Sequence, residues 1–220
     1  MKDKISSHLI NWLSSEGPEN DIVLSSRIRL ARNLENEKYP KFANDKIREK
    51  INDKVKDAIS KKNQIDLHFL KMSDLPDIER ELLVEKHLIS PLHAKGDLEK
   101  GLLLDDKETV SIMLNEEDHI RIQVLAGGMQ IKEVWEKANE IDDILEEDLD
   151  FAFSERWGYL STCPTNVGTG LRASVMIHLP ALNLTQNINK MLGAVSQLGI
   201  AVRGLYGEGS ESLANIYQIS

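Results

Sequence analysis

The sequence contains a single cysteine, Cys163, among 220 residues, so one chain cannot form an internal disulfide. Such sparse cysteine is typical of a reducing compartment, and we expect a cytoplasmic protein. The sequence also lacks an apolar run of membrane-spanning length, and its first residues show no signal peptide. Lys and Arg number 27 against 36 Asp and Glu, which argues against nonspecific nucleic-acid binding. We therefore expect neither a membrane nor a nucleic-acid partner.

What is present is an ordinary globular composition, 41% hydrophobic and 29% charged, with both strand and helix patterns. Alternation of apolar and polar residues predicts strands in "DIVLSSRIRLAR", "DLHFLKM", "GLLLDD", "TVSIML", "HIRIQVL", "GYLST", "RASVMIHL" and "IAVRGLY". Helical spacing predicts helices over 4–13, 44–60, 130–149 and 185–198, and another that begins at Ser73. Hairpin-like strand pairs beside a few long helices predict an α+β fold with a largely antiparallel sheet flanked by helices.

Two of these segments also carry predictions about which side chains share a face. In "DIVLSSRIRLAR" the period of two puts Ile22, Leu24, Ser26, Ile28 and Leu30 on one face and Ser25, Arg27 and Arg29 on the other. In the helix over 130–149 the predicted buried stripe is Ile131, Val134, Trp135, Ala138, Ile141 and Leu145.

Arginines stand on the polar faces of several predicted strands: Arg27, Arg29, Arg121, Arg172 and Arg203. Each one alone is most simply a solvated surface charge. Together they favour an anion, because a planar guanidinium makes bidentate contacts with phosphate. The sequence contains no P-loop and no protein-kinase motif set. If a nucleoside triphosphate binds here, arginine side chains hold its phosphates.

Four segments resemble the signature segments of the phosphagen (guanidino) kinase family: "SSRIRLAR", "NEEDHIRI", "CPTNVGTGLRASV" and "RGLYGEGSE". They occur in the family's order, and the resemblance covers nearly the whole chain. It implies that residues 1–220 form a guanidino kinase catalytic domain that is incomplete at its carboxyl end, without the helical regulatory domain that follows in bacterial members. Small-molecule kinases of the family carry a large helical domain before "SSRIR", whereas 24 residues precede it here. This short segment resembles the bacterial members that phosphorylate arginine side chains of proteins.

The resemblance implies a role for each matching residue. ATP contacts are implied for Ser25, Ser26, Arg27, Ile28, Arg29, His87, Arg121, Arg172, Ala173, Ser174, Val175, Met176, Arg203, Gly204, Leu205, Tyr206, Gly207 and Glu208. Glu117 and Glu208 match the carboxylates that hold the substrate guanidinium, and Cys163 matches the reactive cysteine beside it. ATP and Mg²⁺ are the implied cofactors, and no side chain is implied as a metal ligand.

These residue types suit phosphoryl transfer to a guanidinium. Two carboxylates can grip the planar group, aim one nitrogen at the γ-phosphorus and accept a proton as the P–N bond forms. Arginines and Mg²⁺ can neutralise the charge on the phosphoryl oxygens. Plainer roles exist for each candidate: Cys163 as a small buried hydrophobe, Glu117 as a turn residue and His87 as a helix cap.

The expected function is phosphorylation of arginine side chains in proteins, linked by the resemblance to bacterial stress response and to targeting of proteins for degradation. The implied partners are arginine-bearing proteins, including a heat-shock repressor and unfolded proteins, a zinc-finger activator protein, a Clp-type ATPase or protease, and a second copy in a homodimer. Two alternatives stay open. One is a kinase of free arginine or another small guanidino compound, and the other is a non-catalytic module that binds arginine or phosphoarginine.

Overall fold

The computed structural model describes residues 17–62, 65–95, 99–203 and 213–220. Within these ranges the strands are β1 (Val23–Arg32), β2 (His68–Lys71), β3 (Gly101–Leu104), β4 (Val110–Leu114), β5 (Ile120–Gly127), β6 (Phe153–Ser154), β7 (Gly158–Tyr159), β8 (Leu171–His178), β9 (Val202–Arg203) and β10 (Ile216–Ile219). The helices are α1 (Asp45–Lys62), α2 (Asp77–Glu85), α3 (Pro91–Ala94), α4 (Ile131–Glu146), α5 (Pro180–Leu184) and α6 (Ile188–Gln197). The helix predicted for residues 4–13 lies outside the described residues.

A single large sheet organises the described residues. It has eight strands in the order β2-β3-β4-β5-β1-β8-β10-β9, and each of these pairings is antiparallel. Strands β6 and β7 form a separate two-stranded hairpin. The predicted α+β class with a largely antiparallel sheet is confirmed. Strand β1 lies between β5 and β8, so the segments that the sequence singled out become neighbours.

Strand β1 shows the predicted alternation along most of its length. Ile28 and Leu30 are buried in the main apolar cluster, while Arg27 and Arg29 point to the opposite face. The prediction for Leu24 is wrong. The register with β8 shifts between Val23 and Ser25, and Leu24 packs with the other apolar cluster. A bulge of this kind adds one residue to a strand and breaks its period of two.

Helices α1 and α4 cover one face of the sheet. They contribute Ile51, Val55 and Ile59 from α1 and Val134, Ala138, Ile141 and Leu145 from α4. Full burial of one large aliphatic side chain contributes about 1.5–3 kcal/mol, so this layer is the main source of stability. Trp135 was predicted in the buried stripe, but it is 37% exposed. Successive residues of a helix are rotated by about 100° about its axis. Because Trp135 directly follows the buried Val134, its side chain points away from the buried stripe.

The opposite face carries a second apolar cluster, which extends from β3 to β8. Its members are Met72, Leu83, Leu88, Ile89, Leu102, Leu104, Met113, Leu125 and Met176. Helix α2 contributes Leu83 to it. In the middle of the same face, where β5, β1 and β8 lie side by side, arginines take the place of apolar residues. The sheet therefore presents a cationic surface next to a covered apolar one.

The helix predicted to begin at Ser73 begins at Asp77 instead. Pro76 precedes its first residue, and Leu75 is extended with φ −89° and ψ 132°. The ring of a proline disfavours the helical conformation in the residue before it, so the helix does not extend back through Leu75. Ser73 lies instead in a 3-10 turn over Met72–Asp74.

The helix predicted over residues 185–198 corresponds to α6, which begins three residues later, at Ile188. Gln186, with φ 58°, separates α5 from α6, and such a left-handed residue ends a right-handed helix. Gly199, with φ 79°, follows α6 as the predicted terminating glycine. None of the helices in the described part of the chain is long and apolar enough to cross a membrane.

Candidate active site

Arginine side chains from three adjacent strands meet on the open face of the sheet. Arg29 of β1 is directly opposite Arg172 of β8, and Arg27 is opposite Ser174. Arg121 of β5 pairs with Ala31, two residues along β1 from Arg29. Residues directly opposite each other on antiparallel strands share a face, with their Cβ atoms about 4.5–5.5 Å apart. The register therefore concentrates positive charge at the centre of the sheet.

This concentration of positive charge destabilises the folded protein when no anion is bound. Burial, together with the charge of Arg172 and Arg121, lowers the pKa of Arg27 to about 10. Burial and the neighbouring arginines lower the pKa of Arg29 to about 8, while Glu116 acts in the opposite direction. A guanidinium nevertheless keeps its proton in proteins, so the depressed pKa values express an unfavourable positive potential. A bound polyanion would remove that potential, so the cluster fits the phosphates of a nucleotide.

Two consecutive carboxylates hold Arg121. Its Nη1 forms an ion pair with Glu116, and its Nη2 lies 3.1 Å from Glu117 Oε2. The Glu116 side chain is 1% exposed and also contacts the Ser90 hydroxyl, so its carboxylate is committed to the protein interior. The Glu117 side chain is 40% exposed. Of this pair, Glu117 is the carboxylate that an incoming group can reach.

A cavity of about 350 Å³ opens beside these groups. It is lined by Arg29, Leu30, Ala31, Glu117, Arg121, Cys163, Thr165, Asn166, Gly170 and Arg172. Candidate phosphate-binding arginines, one candidate guanidinium-binding carboxylate and the cysteine therefore share one space. Residues far apart in the sequence meet there because β1, β5 and β8 are adjacent.

The loop that carries Cys163 is fixed to the turn that carries Glu117. Asp118, which is 1% exposed, accepts hydrogen bonds from the Asn33 side chain at 2.7 Å, the Ser161 hydroxyl at 2.9 Å and the Thr162 backbone N–H at 3.0 Å. A buried carboxylate that accepts several hydrogen bonds holds its donors strongly. Asp118 thus sets the position of Cys163 relative to Glu117.

The far end of the loop is fixed to β1. The Ala31 N–H donates to the Gly170 carbonyl at 2.9 Å. Gly170 has φ 62°, and a Cβ there would lie 2.6 Å from the Ala31 carbonyl oxygen. Only glycine permits this close approach. At the cavity, Cys163 is a partly exposed free thiol whose Sγ lies 3.0 Å from Thr165 Oγ1. Its partial exposure and place in the cavity wall argue against a purely buried role.

Arg27 reaches the opposite end of the cationic surface. Its guanidinium donates to Ser174 Oγ at 3.3 Å and to Gln218 Oε1 at 2.7 Å. His87 lines the same small recess, together with Ser25 and Met176. Burial and the charge of Arg27 lower the pKa of His87 to about 4, so the ring is neutral at pH 7. A neutral His87 ring would not act as a cationic cap at the carboxyl end of its helix.

Several residues implied as ATP contacts lie on the other face. Ile28 and Ala173 pack in the main apolar cluster, and Val175 packs with a third cluster near β10. Ser26 is fully buried, where its hydroxyl donates to the Gly128 carbonyl at 2.8 Å and accepts from the Gln130 N–H at 2.9 Å. Their side chains support the strands whose alternate residues line the cavity.

The fourth signature segment is mostly outside the description. Arg203 lies in β9, where its backbone pairs with Gln218. Gly204, Leu205, Tyr206, Gly207 and Glu208 lie outside the described residues. The second guanidinium-binding carboxylate therefore stays a prediction.

Sequence reasoning did not single out Glu116, Asp118 and Gln218, nor the cavity-lining Leu30, Ala31, Thr165, Asn166 and Gly170, as site residues. The "NEED" segment contains two of them, but nothing in the sequence says which of its adjacent carboxylates faces inward. Gln218 had a weak signal, since it is the polar residue between Tyr217 and Ile219 in the apolar tail "NIYQIS".

The described cavity suits a Mg²⁺ ion that is held mainly by its nucleotide. Mg²⁺ keeps several waters and takes one or two carboxylates together with phosphate oxygens. Glu116 and Glu117 both contact Arg121, so phosphate oxygens and waters would supply most of the ligands of the ion. Elsewhere Asp66, His68 and Asp106 place ligand atoms within 4.8 Å of one another, but they are solvent-accessible and His68 is paired with Asp106 at 2.9 Å. The contact between His68 and Asp106 accounts for the proximity of these two side chains without a metal.

The chain belongs to the ATP:guanido phosphotransferase family. The model for the ATP:guanido phosphotransferase C-terminal catalytic domain matches residues 47–220. Among similar curated proteins, the protein-arginine kinase of Halothermothrix orenii is 64% identical over the whole of this chain. The protein-arginine kinase of Bacillus subtilis is 50% identical over the whole chain. This chain spans 63% and 61% of the lengths of these two relatives.

Solved structures share the fold. The duplicated taurocyamine kinase of Schistosoma mansoni, with bound transition state analog components, has a TM-score of 0.77 and 24% identity over 94% of this chain and 30% of that chain. A lombricine kinase has a TM-score of 0.76 and 23% identity over 96% of this chain and 62% of that chain. These likenesses extend the fold assignment to distant relatives.

Proposed function

We propose that this chain is a catalytic domain that transfers the γ-phosphoryl group of Mg·ATP to arginine side chains of proteins. The observation that carries the proposal is the single cavity shared by Arg29, Arg121, Arg172, Glu117 and Cys163. Its cationic wall suits phosphates, and its carboxylate suits a guanidinium. The names of the relatives support the protein acceptor, because the two similar proteins named above are both protein-arginine kinases.

The arginines supply the electrostatic part of the reaction. When bound, Mg·ATP provides the γ-phosphoryl group. Arg29, Arg121 and Arg172 would hold its oxygens and neutralise charge as the phosphoryl group moves. Their positions are fixed before the nucleotide arrives, because they project from adjacent paired strands. Little reorganisation is then needed at the moment of transfer.

Glu117 and Cys163 act on the acceptor. Glu117 would hold the guanidinium through charge-assisted hydrogen bonds and aim one nitrogen at the γ-phosphorus. A bond forms between that nitrogen and the phosphorus, the bond to the bridging oxygen breaks, and ADP keeps its electron pair. The guanidinium loses one proton, which Glu117 is placed to accept. Cys163, held by the Asp118-anchored loop, would contact the guanidinium from the same side of the cavity.

A direct test is to incubate the protein with Mg·ATP and an arginine-rich unfolded protein, with free arginine and free lysine in parallel reactions. We expect a phosphoramidate on arginine side chains, detected by mass spectrometry under non-acidic conditions. Lysine should not substitute, because its compact ammonium lacks a planar fork. Efficient turnover of free arginine would favour a small-molecule kinase, and binding without any transfer would favour a recognition module.

The change Glu117→Gln tests the assigned carboxylate. It keeps the size of the side chain but removes its charge and proton acceptor, so we expect kcat to fall by roughly 10²–10⁴-fold. ATP affinity should change little, because Gln can still contact Arg121. Glu136→Gln, at an exposed position of α4, is the matched control. A kcat near that of the wild type would mean that Glu117 is only a turn residue.

A cytoplasmic location belongs to the same proposal. Cys163 is free, and its proposed contact with substrate requires a reduced thiol, which supports a reducing compartment. The heat-shock repressor, the zinc-finger activator and the Clp-type partner rest on the family resemblance.

A further inference from the structure

A buried ion pair lies beside the far end of the Cys163 loop, on the helix side of the sheet. Arg32, the last residue of β1, pairs with Asp142 of α4, and 2.7 Å separates Nη2 from Oδ2. The two side chains are 4% and 8% exposed. Neither of them lines the cavity, so the reaction described above gives this pair no role.

The Arg32 guanidinium also holds the loop. Its Nη1 donates to the Thr169 carbonyl at 3.0 Å and to the Ala31 carbonyl at 2.8 Å, while Nε and Nη2 donate to Asp142. Thr169 precedes Gly170, whose carbonyl accepts from the Ala31 N–H at 2.9 Å. One planar group therefore joins α4 and β1 to the residue next to the cavity-lining Gly170.

Tyr159 extends this contact to a second point of the loop. The Arg32 guanidinium carbon lies 3.6 Å from the centre of the Tyr159 ring, in a cation–π contact. The Tyr159 N–H donates to the Gly168 carbonyl at 2.8 Å, and the Gly168 N–H donates back to the Tyr159 carbonyl at 3.2 Å. Arg32 thus acts on Gly168 through Tyr159 and on Thr169 directly.

The ion pair is a poor source of stability for the fold. Taking both charges out of water is unfavourable, and replacing a buried ion pair by apolar residues of similar volume is often neutral or stabilising. Burial raises the pKa of Asp142, although the charge of Arg32 opposes that rise. Asp142 Oδ1 is buried and accepts no hydrogen bond from the described part of the chain. A pair of this kind suits a role in fixing geometry.

We propose that Arg32 is a positioning residue for the acceptor side of the cavity, and that its planar fork, anchored on Asp142, fixes residues 168–170 of the loop. Asn166 and Gly170 line the cavity, so a displacement of this stretch moves the wall that faces the substrate guanidinium. Lysine cannot replace Arg32, because a compact ammonium has no fork to serve a carboxylate and a carbonyl together. This inference rests on the proposed function and adds a residue outside the cavity to it.

The first test removes the ion pair without leaving a buried charge. The double change Arg32→Met and Asp142→Leu roughly keeps the volume of both side chains, so the Tm should change little. Amide hydrogen exchange at Gly168 should become faster, because the ring of Tyr159 loses its support. Exchange at Thr162, at the other end of the loop, should stay at the wild-type rate.

Kinetics give the second readout. The kcat of the double variant on an arginine-rich protein should fall about 10–100-fold, because a misplacement of about 1 Å near the reacting groups can cost this much. ATP affinity, measured by calorimetric titration, should stay unchanged, because the pairing of β1 with β8 holds Arg29 and Arg172 in place. A role in stability alone would move neither the exchange at Gly168 nor the kcat of the folded protein.

Two single changes sharpen the test. Arg32→Lys keeps the charge opposite Asp142 but lacks the fork, so it should show the fast exchange at Gly168 and the low kcat of the double variant. It replaces the double variant if that protein does not fold. Arg156→Met is the matched control, since Arg156 also lies over an aromatic ring, 4.7 Å from the centre of Trp157, but is exposed. It should match the wild type in both readouts.

The outcomes separate the two proposals. A wild-type kcat in the folded double variant, or exchange at Gly168 that stays at the wild-type rate, overturns the positioning role and leaves the kinase assignment intact. Full recovery of both readouts in Arg32→Lys overturns the role of the fork. Absence of phosphoarginine after incubation of the wild-type protein overturns the proposed function instead, while exchange at Gly168 tests the loop contact without any activity.

Discussion

At the scale of single residues, Arg29 is the centre of the cationic surface. It faces Arg172 across the sheet, and burial and repulsion lower its pKa to about 8. Because this pKa is lower than that of a free arginine, the charged side chain destabilises the folded state near neutral pH. The same charge becomes favourable when a phosphate binds. Binding sites typically contain residues that destabilise the free protein and stabilise its complex with the ligand.

The change Arg29→Ala should separate these two effects. We expect the Tm of the ligand-free protein to stay the same or rise, because a desolvated, repelled charge is removed. ATP affinity should fall about 10–100-fold, since a hydrogen bond to a charged group is worth about 1.5–3 kcal/mol. Differential scanning fluorimetry and calorimetric titration measure the two quantities, and Lys132→Ala, at an 82% exposed cation, is the control. A large loss of ligand-free stability with unchanged ATP affinity would assign Arg29 a structural role.

At the scale of elements, the site depends on how one turn is joined to one loop. The turn between β4 and β5 carries Glu117, the loop before β8 carries Cys163, and Asp118 links them through Asn33, Ser161 and Thr162. Asp118 is therefore a positioning residue for the acceptor half of the cavity.

The changes Asp118→Asn and Asp118→Ala test this link. Alanine leaves buried donors unpaired and should cost roughly 1–3 kcal/mol of stability, whereas asparagine keeps one acceptor oxygen and should cost less. Both should lower kcat while ATP affinity is retained, and amide hydrogen exchange at Thr162 should become faster in the same order. Asp53→Asn, on the exposed side of α1, serves as control. Unchanged exchange at Thr162 together with a wild-type kcat would refute the positioning role.

At the scale of the whole molecule, the sheet carries a stabilising apolar layer on one face and mutually repelling arginines on the other. Helices α1 and α4 bury the main cluster against one face, and the repelled arginines occupy the other. The stability gained by apolar burial on the helix side offsets the electrostatic repulsion on the arginine side. Any polyanion that fits the cavity should therefore stabilise the entire fold.

Inorganic tripolyphosphate provides the test. At a concentration of 100 times its Kd, linkage predicts a gain of about 2.7 kcal/mol in the free energy of unfolding. Sodium chloride at equal ionic strength should raise the Tm much less, because monovalent ions screen the charges without bridging the arginines. Chemical denaturation with and without tripolyphosphate measures the difference. Equal effects of the two salts would show that the cluster does not act as a phosphate site.

The local features of this protein could be predicted from its sequence. Alternation predicted β1, β5 and β8, and it put Arg27 and Arg29 on the face opposite Ile28 because side chains alternate along any strand. Motif resemblance pointed to Glu117 and Cys163 as candidates. These predictions depend only on patterns within short segments of the sequence.

Which candidates meet, and which carboxylate is accessible, depends on contacts between distant segments of the folded chain. Arg27 and Ser174 are 147 residues apart, and their contact depends on the pairing of β1 with β8. Glu116 and Glu117 are adjacent and chemically alike, yet one side chain is 1% exposed and the other 40% exposed. The difference arises because Glu116 meets Ser90 and Arg121 in the folded interior, and no local pattern encodes a contact between distant segments.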